Sequence, residues 1–121
     1  MPPIMLPYPP SANRYLRHTA RGSYRTGEAN LFRETVKERV WLTGLRVIHG
    51  HVGMIAELHP KLTKGGKVSK TCMDLDNALK VLCDSLQGVL YINDKQIKRI
   101  ELSVGKAVDG GGLSVEVYSL C

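Results

Sequence analysis

Asp74-Leu75-Asp76-Asn77-Ala78-Leu79-Lys80-Val81-Leu82-Cys83-Asp84-Ser85-Leu86-Gln87-Gly88 is the stretch on which the reading of this chain turns. Leu75, Ala78, Leu79, Leu82, Cys83 and Leu86 recur at the i, i+3, i+4, i+7 spacing of a helix with one buried face. The spacing predicts a helix over Asp76–Gln87, stopped by Gly88. Asp76, Lys80 and Asp84 fall at i, i+4 and i+8, on another face of the same helix. Asp76 is expected at or near the N-cap, with the backbone turn bringing Asp74 to the same side.

Downstream, Val89–Ile92 is a short apolar run leading to Asn93-Asp94. Gln96–Gly105 alternates through Ile100, Leu102 and Val104 as a strand does. Asp109-Gly110-Gly111-Gly112 is a turn, and Leu113, Val115 and Val117 alternate again. These last two strands are predicted to pair as a hairpin. Upstream, Lys61–Met73 has Gly65-Gly66 at its middle and reads as a mobile basic loop. His51–Leu58 reads as a strand, approached flexibly through Arg46–His49 and ended by Pro60. Phe32, Val36 and Val40 predict a helix over Glu28–Thr43, with Trp41 in the core and Gly44 at C′. Ser11–Gly27 reads as an arginine-rich loop. Ile4–Tyr8 is a short strand halted by Pro9-Pro10. The expected fold class is α+β: one small domain over residues 1–121, with a mixed sheet of about four strands and two main helices.

The chain has 121 residues, and Lys and Arg outnumber Asp and Glu by 17 to 11. A pI near 9.4 favours a polyanionic partner. The charge is clustered. Met1–Thr26 carries Arg14, Arg17, Arg21 and Arg25 with no acid, and Leu58–Met73 carries Lys61, Lys64, Lys67 and Lys70 with no acid. Clusters of one sign are the footprint of phosphate contact. Cys72, Cys83 and Cys121 are an odd set without C-x-x-C spacing, which points to reduced thiols and a cytoplasmic protein. No segment has the length or apolarity of a signal peptide or membrane span, so no membrane partner is expected.

Carboxylates within a basic chain suit a hard divalent cation that acts on the phosphates the basic surface attracts. Mg²⁺ takes oxygen ligands and retains several waters. Asp74, Asp76 and Asp94 are the candidates to hold it, provided that the segment after the helix runs back alongside its start. Lys80 is placed to meet a phosphate, the attacking water or the leaving oxygen. The ordinary alternatives are an N-cap for Asp76, an i, i+4 ion pair for Lys80 and a turn residue for Asp94. His49, His51 and His59 with Cys72 have no zinc-finger spacing, and nucleophile and dinucleotide-binding signatures are absent.

Three segments together resemble the RusA family of Holliday-junction resolvases. They are Leu6-Pro7-Tyr8-Pro9-Pro10-Ser11-Ala12-Asn13-Arg14-Tyr15-Leu16-Arg17-His18, then Asp74-Leu75-Asp76-Asn77 with Lys80, then Tyr91-Ile92-Asn93-Asp94-Lys95-Gln96-Ile97. The resemblance implies a small α/β fold acting as a homodimer on four-way-junction DNA. It implies Mg²⁺ as cofactor, with Mn²⁺ able to substitute, and paired nicks leaving 5′-phosphate ends. It makes Asp74, Asp76 and Asp94 the metal-binding and catalytic carboxylates and Lys80 a catalytic lysine. Asn13, Arg14, Arg17 and the four lysines of the 61–73 loop become the expected DNA contacts. Some members have Asp-Asp where this chain has Asn93-Asp94, so the role falls to Asp94. The 61–73 loop is lysine-rich where the family is arginine-rich. A non-catalytic nucleic-acid-binding module, or a metal nuclease for other branched DNA or RNA, is the alternative.

Overall fold

Val52, Met54, Ala56 and Leu58 are buried while Ile55 and Glu57 between them are exposed, the period-two signature of a strand with one covered face. This strand anchors the sheet. The computed structural model describes residues 3–69 and 72–120. In chain order the elements are β1 (Ile4–Leu6), α1 (Ala12–Tyr15), β2 (Leu16–Thr19), β3 (Gly22–Arg25), α2 (Gly27–Thr43), β4 (Val52–His59), α3 (Leu75–Leu86), a 3-10 turn (Asp94–Gln96), β5 (Ile97–Val104) and β6 (Gly112–Ser119). The class is α+β, as expected.

The main sheet has the order β1-β6-β4-β5, and β2 and β3 form a separate two-stranded ribbon. β4 pairs β6 antiparallel and β5 parallel. The parallel pairing needs a crossover, and α3 supplies it, making β4-α3-β5 a βαβ unit. The predicted β5–β6 hairpin is therefore wrong, because β4 lies between them. Both strands alternate correctly, but alternation specifies a face and not a neighbour. The segment between β5 and β6 passes the end of β4, where Leu62 N–H donates to the Val108 carbonyl at 3.1 Å.

One sheet face carries Ile4, Leu6, Val52, Met54, Ala56, Leu58, Leu113, Val115 and Val117, all buried. Against it pack Ala29, Phe32, Val36 and Val40 of α2 and Ala78, Val81, Leu82 and Leu86 of α3. The other face is largely polar. There Tyr118 lies across Gly53, where a Cβ would stand 2.3 Å from the ring.

The helices differ from expectation in detail. Thr26 caps α2 by accepting from Ala29 N–H, and Gly44 closes it at φ 75° in the left-handed region. Trp41 is 78% exposed, not in the core. It follows Val40 by one helical step of about 100° and so leaves the 29-32-36-40 stripe. In α3 the stripe centres on Ala78, Val81, Leu82 and Ser85, leaving Leu75, Leu79 and Cys83 half-buried at its rim.

Two expected loops carry structure. Ser11–Gly27 contains α1 and the β2–β3 ribbon. Within the expected 61–73 loop, residues 61–69 fold back on themselves through Thr63 N–H to Lys67 carbonyl (2.7 Å) and Ser69 N–H to Lys61 carbonyl (2.8 Å). No helix among the described residues is long and apolar enough to cross a membrane.

Candidate active site on helix α3

α3 begins at Leu75, one residue earlier than expected, and Asp74, not Asp76, is its N-cap. The Asp74 side chain makes no capping hydrogen bond, so its carboxylate is not used up by the helix end. Asp76 lies exposed in the first turn, where the helix dipole favours negative charge. Lys80 follows one turn on, exposed.

Asp94 starts the 3-10 turn, and that turn is held from several sides. The Gln96 side-chain oxygen accepts from Ile92 N–H at 2.8 Å and Asn93 N–H at 2.9 Å. Its amide donates to the Ile48 and Gly50 carbonyls at 2.7 and 2.8 Å. Asn93 closes a reciprocal capping box with Gln96, and Gln87 accepts from Asp94 N–H at 3.3 Å. Beneath it Tyr91 is fully buried, and its hydroxyl donates to the Cys83 carbonyl at 2.5 Å. Burial pushes the Cys83 thiol up to about 11, which leaves it an inert packing residue.

Two concavities flank α3. The larger, about 970 Å³, is lined by Asp74 and Asn77 together with Tyr8, Ser11, Arg14 and Lys61. The smaller, about 310 Å³, is lined by Lys80 and Asp94 with Cys83, Asp84 and Gln87. The sequence-predicted residues are thus divided. Asp94 returns to α3 as required, but beside Lys80. No group of three or more His, Cys, Asp or Glu close enough to hold a metal occurs among the described residues, so the three carboxylates do not converge as a preformed cage. His59 instead bonds the Lys106 carbonyl at 2.7 Å and Ser114 at 3.0 Å, a structural role. Asn13 and Arg14 lie exposed on α1, Arg17 is exposed on β2, and Lys61, Lys64 and Lys67 are exposed on the folded 61–69 segment. Lys70, expected with them, lies outside the described residues, as does Cys121.

The feature not foreseen from sequence is Asp84. It is on the face that carries Lys80, yet its side chain is only 30% exposed. Arg25 binds it through two nitrogens, at 2.9 and 2.8 Å, and Arg33 binds its carboxylate and its carbonyl, each at 2.9 Å. The Tyr15 hydroxyl also donates to it. Burial acts to raise the Asp84 pKa, but hydrogen bonds from Arg25 and Tyr15, with the charges of Arg25 and Arg33, outweigh it and hold the carboxyl at about 2. The i+8 position of Asp84 was visible in the sequence. Its partners, 51 to 69 residues away, were not. Asp74, Asp76 and Asp94, by contrast, enter no ion pair among the described residues.

Comparison with known proteins gives the family. The sequence profile described as Endodeoxyribonuclease RusA matches residues 7–118. The chain belongs to the RusA endodeoxyribonuclease family. It is similar to the crossover junction endodeoxyribonuclease rusA of Enterobacteria phage HK97, with 30% identity over 118 residues, covering 97% of this chain and 93% of that protein. The protein is accordingly an enzyme, a nuclease of the RusA resolvase family. The RusA-like N-terminal signature has a structural part here as well. The Tyr8 hydroxyl accepts from Met73 N–H at 2.9 Å, directly before Asp74, and Lys61 Nζ lies 4.8 Å from the centre of the Tyr8 ring. Gly111 makes room for both: a Cβ there would stand 2.5 Å from the ring and 2.8 Å from Lys61. Tyr8→Phe keeps the ring and removes the acceptor. We expect it to cost about 1 kcal/mol and to slow single-turnover cleavage by about fivefold while leaving DNA affinity unchanged.

Proposed function

We propose that this RusA-family nuclease, acting as a homodimer over the whole 1–121 unit, resolves four-way DNA junctions in the cytoplasm by paired symmetric nicks that depend on Mg²⁺. The observation that carries the reading is the division of labour on α3. Asp84 is consumed by two arginines and a tyrosine, while Asp74, Asp76 and Asp94 stay exposed and enter no ion pair among the described residues of a basic chain.

The donor chemistry fits a hard cation. Mg²⁺ is usually held by one or two carboxylates together with waters and substrate phosphate oxygens, so a complete protein cage is not required. Asp74 and Asp76 at the head of α3, with Asp94, are the residues proposed to hold it. When bound, the metal supplies a water of lowered pKa and neutralises charge on the phosphate. Lys80 offers its ammonium to the scissile phosphate from the cleft it shares with Asp94. Water attacks phosphorus, the bond to the 3′ oxygen breaks, and the products carry 3′-hydroxyl and 5′-phosphate ends. Asn13, Arg14, Arg17, Lys61, Lys64, Lys67 and Lys70 are proposed to hold the DNA arms. A two-fold dimer suits a substrate with two equivalent strands to cut. In support, Ile100 and Val104 on edge strand β5 are exposed although they share the core-facing side of the sheet.

The test is cleavage of an end-labelled immobile junction and its linear duplex with Mg²⁺, Mn²⁺ or EDTA. Symmetric nicks in the junction with either metal and none in EDTA are expected. Equal cutting of the duplex would remove the junction from the reading.

A further inference from the structure

The β2–β3 ribbon has no evident task in the core. All of its residues, Leu16–Thr19 and Gly22–Arg25, are exposed, and it belongs to no larger sheet. A lone two-stranded ribbon is marginal by itself. This one is fastened at its base, by Thr26 Oγ1 to the Arg14 carbonyl (2.5 Å), Thr26 N–H to the Tyr15 carbonyl (3.0 Å) and Arg25 to Asp84.

The register sorts its side chains. Leu16 faces Arg25 and His18 faces Ser23 on one side, and Arg25 turns that side toward α3. Arg17 and Tyr24 are opposite each other on the other side, away from α3. Tyr24 is 55% exposed. No acid occurs between Pro3 and Thr26. Asp84, the α3 residue to which Arg25 ties the ribbon, lines the cleft that holds Lys80 and Asp94. A largely exposed aromatic ring paired across the ribbon with an arginine, on a basic projection, is the chemistry that takes an unpaired base and its phosphate.

We propose that the ribbon engages DNA where base pairing is interrupted at the branch point, with Tyr24 stacking on an unpaired base and Arg17 meeting an adjoining phosphate. The proposal rests on the nuclease reading above and adds a source of preference for branched over linear DNA.

Binding is measured by fluorescence anisotropy without divalent metal, using a four-way junction, a linear duplex and a single strand of matched sequence. Tyr24→Ala is expected to weaken junction and single-strand binding by about tenfold and duplex binding by less than about twofold, with Tyr24→Phe restoring both. Arg17→Ala is expected to weaken binding to all three and to reduce the salt slope on duplex by about 0.9. Circular dichroism of each variant should match wild type, since both residues are exposed. Unchanged single-strand and junction affinity in Tyr24→Ala, or an equal loss on duplex, overturns the proposal. Failure of the wild-type protein to prefer the junction would sink the junction reading alone, because the single-strand comparison still decides the role of Tyr24.

Discussion

Asp74→Asn is expected to reduce junction cleavage by at least about a thousandfold while leaving junction affinity within about threefold of wild type. Two features make the prediction sharp. The Asp74 side chain makes no capping hydrogen bond and no ion pair among the described residues, so the fold loses no bonded contact when the charge is removed. Asn is also as good an N-cap as Asp, so the unfolding free energy should change by less than about 1 kcal/mol. A metal held by carboxylates contributes several kcal/mol of transition-state stabilisation, and each ~1.4 kcal/mol is tenfold in rate. Single-turnover cleavage, junction binding and urea unfolding measured side by side separate the possibilities. Loss of cleavage with stability retained supports Asp74 as a ligand. A parallel loss of stability would show that it is structural.

Asp84→Asn should have the opposite signature, damaging the fold first. The native carboxyl is held at about 2, well below the ordinary carboxylate value of 3.8, by Arg25, Tyr15 and Arg33 working against burial. At ~1.4 kcal/mol per unit, that difference is worth about 2 kcal/mol of folding free energy at neutral pH. The folded-state pKa is depressed. The contribution is therefore complete above the unfolded value near 3.9 and disappears as pH falls from about 4 toward 2. Wild type should be more stable than Asp84→Asn by about 2 kcal/mol at pH 7, with the gap closing by about pH 2. Denaturant titrations at several pH values check this. A gap that persists unchanged at pH 2 would refute the electrostatic account.

Tyr15 supplies a counterpart at high pH. Burial and then its bond to Asp84 push the phenol up to about 12. Its contribution is present below the unfolded value near 10 and fades as pH rises toward 12. Because Asp84 also seats Arg25 at the base of the β2–β3 ribbon, the variant should bind DNA more weakly as well.

The amphipathic stripes of α2 and α3 and the alternation in β4, β5 and β6 were legible without coordinates. Burial imposes periods of 3.6 and 2 that a sequence records directly. Asp74, Asp76 and Asp94 were legible as candidates because acids are conspicuous in a basic chain, and Lys80 because it lies one helical turn past Asp76. The placement of Trp41 was misread because it adjoins a buried position, and one helical step carries it to solvent.

What no local pattern contained was which strands are neighbours and which distant side chains meet. β5 and β6 follow each other along the chain, yet both pair with β4, because the α3 crossover places β5 on one edge of that strand and leaves the other to β6. Asp84 looked like one more acid beside Lys80 until Tyr15, Arg25 and Arg33 were folded around it. The same packing sends Asp74 and Asp94 to separate concavities on α3. Local sequence sets the character of each element because the forces that impose it act within a few residues. Neighbours are chosen by the tertiary structure, because burial and charge pairing act between segments that the chain alone does not bring together.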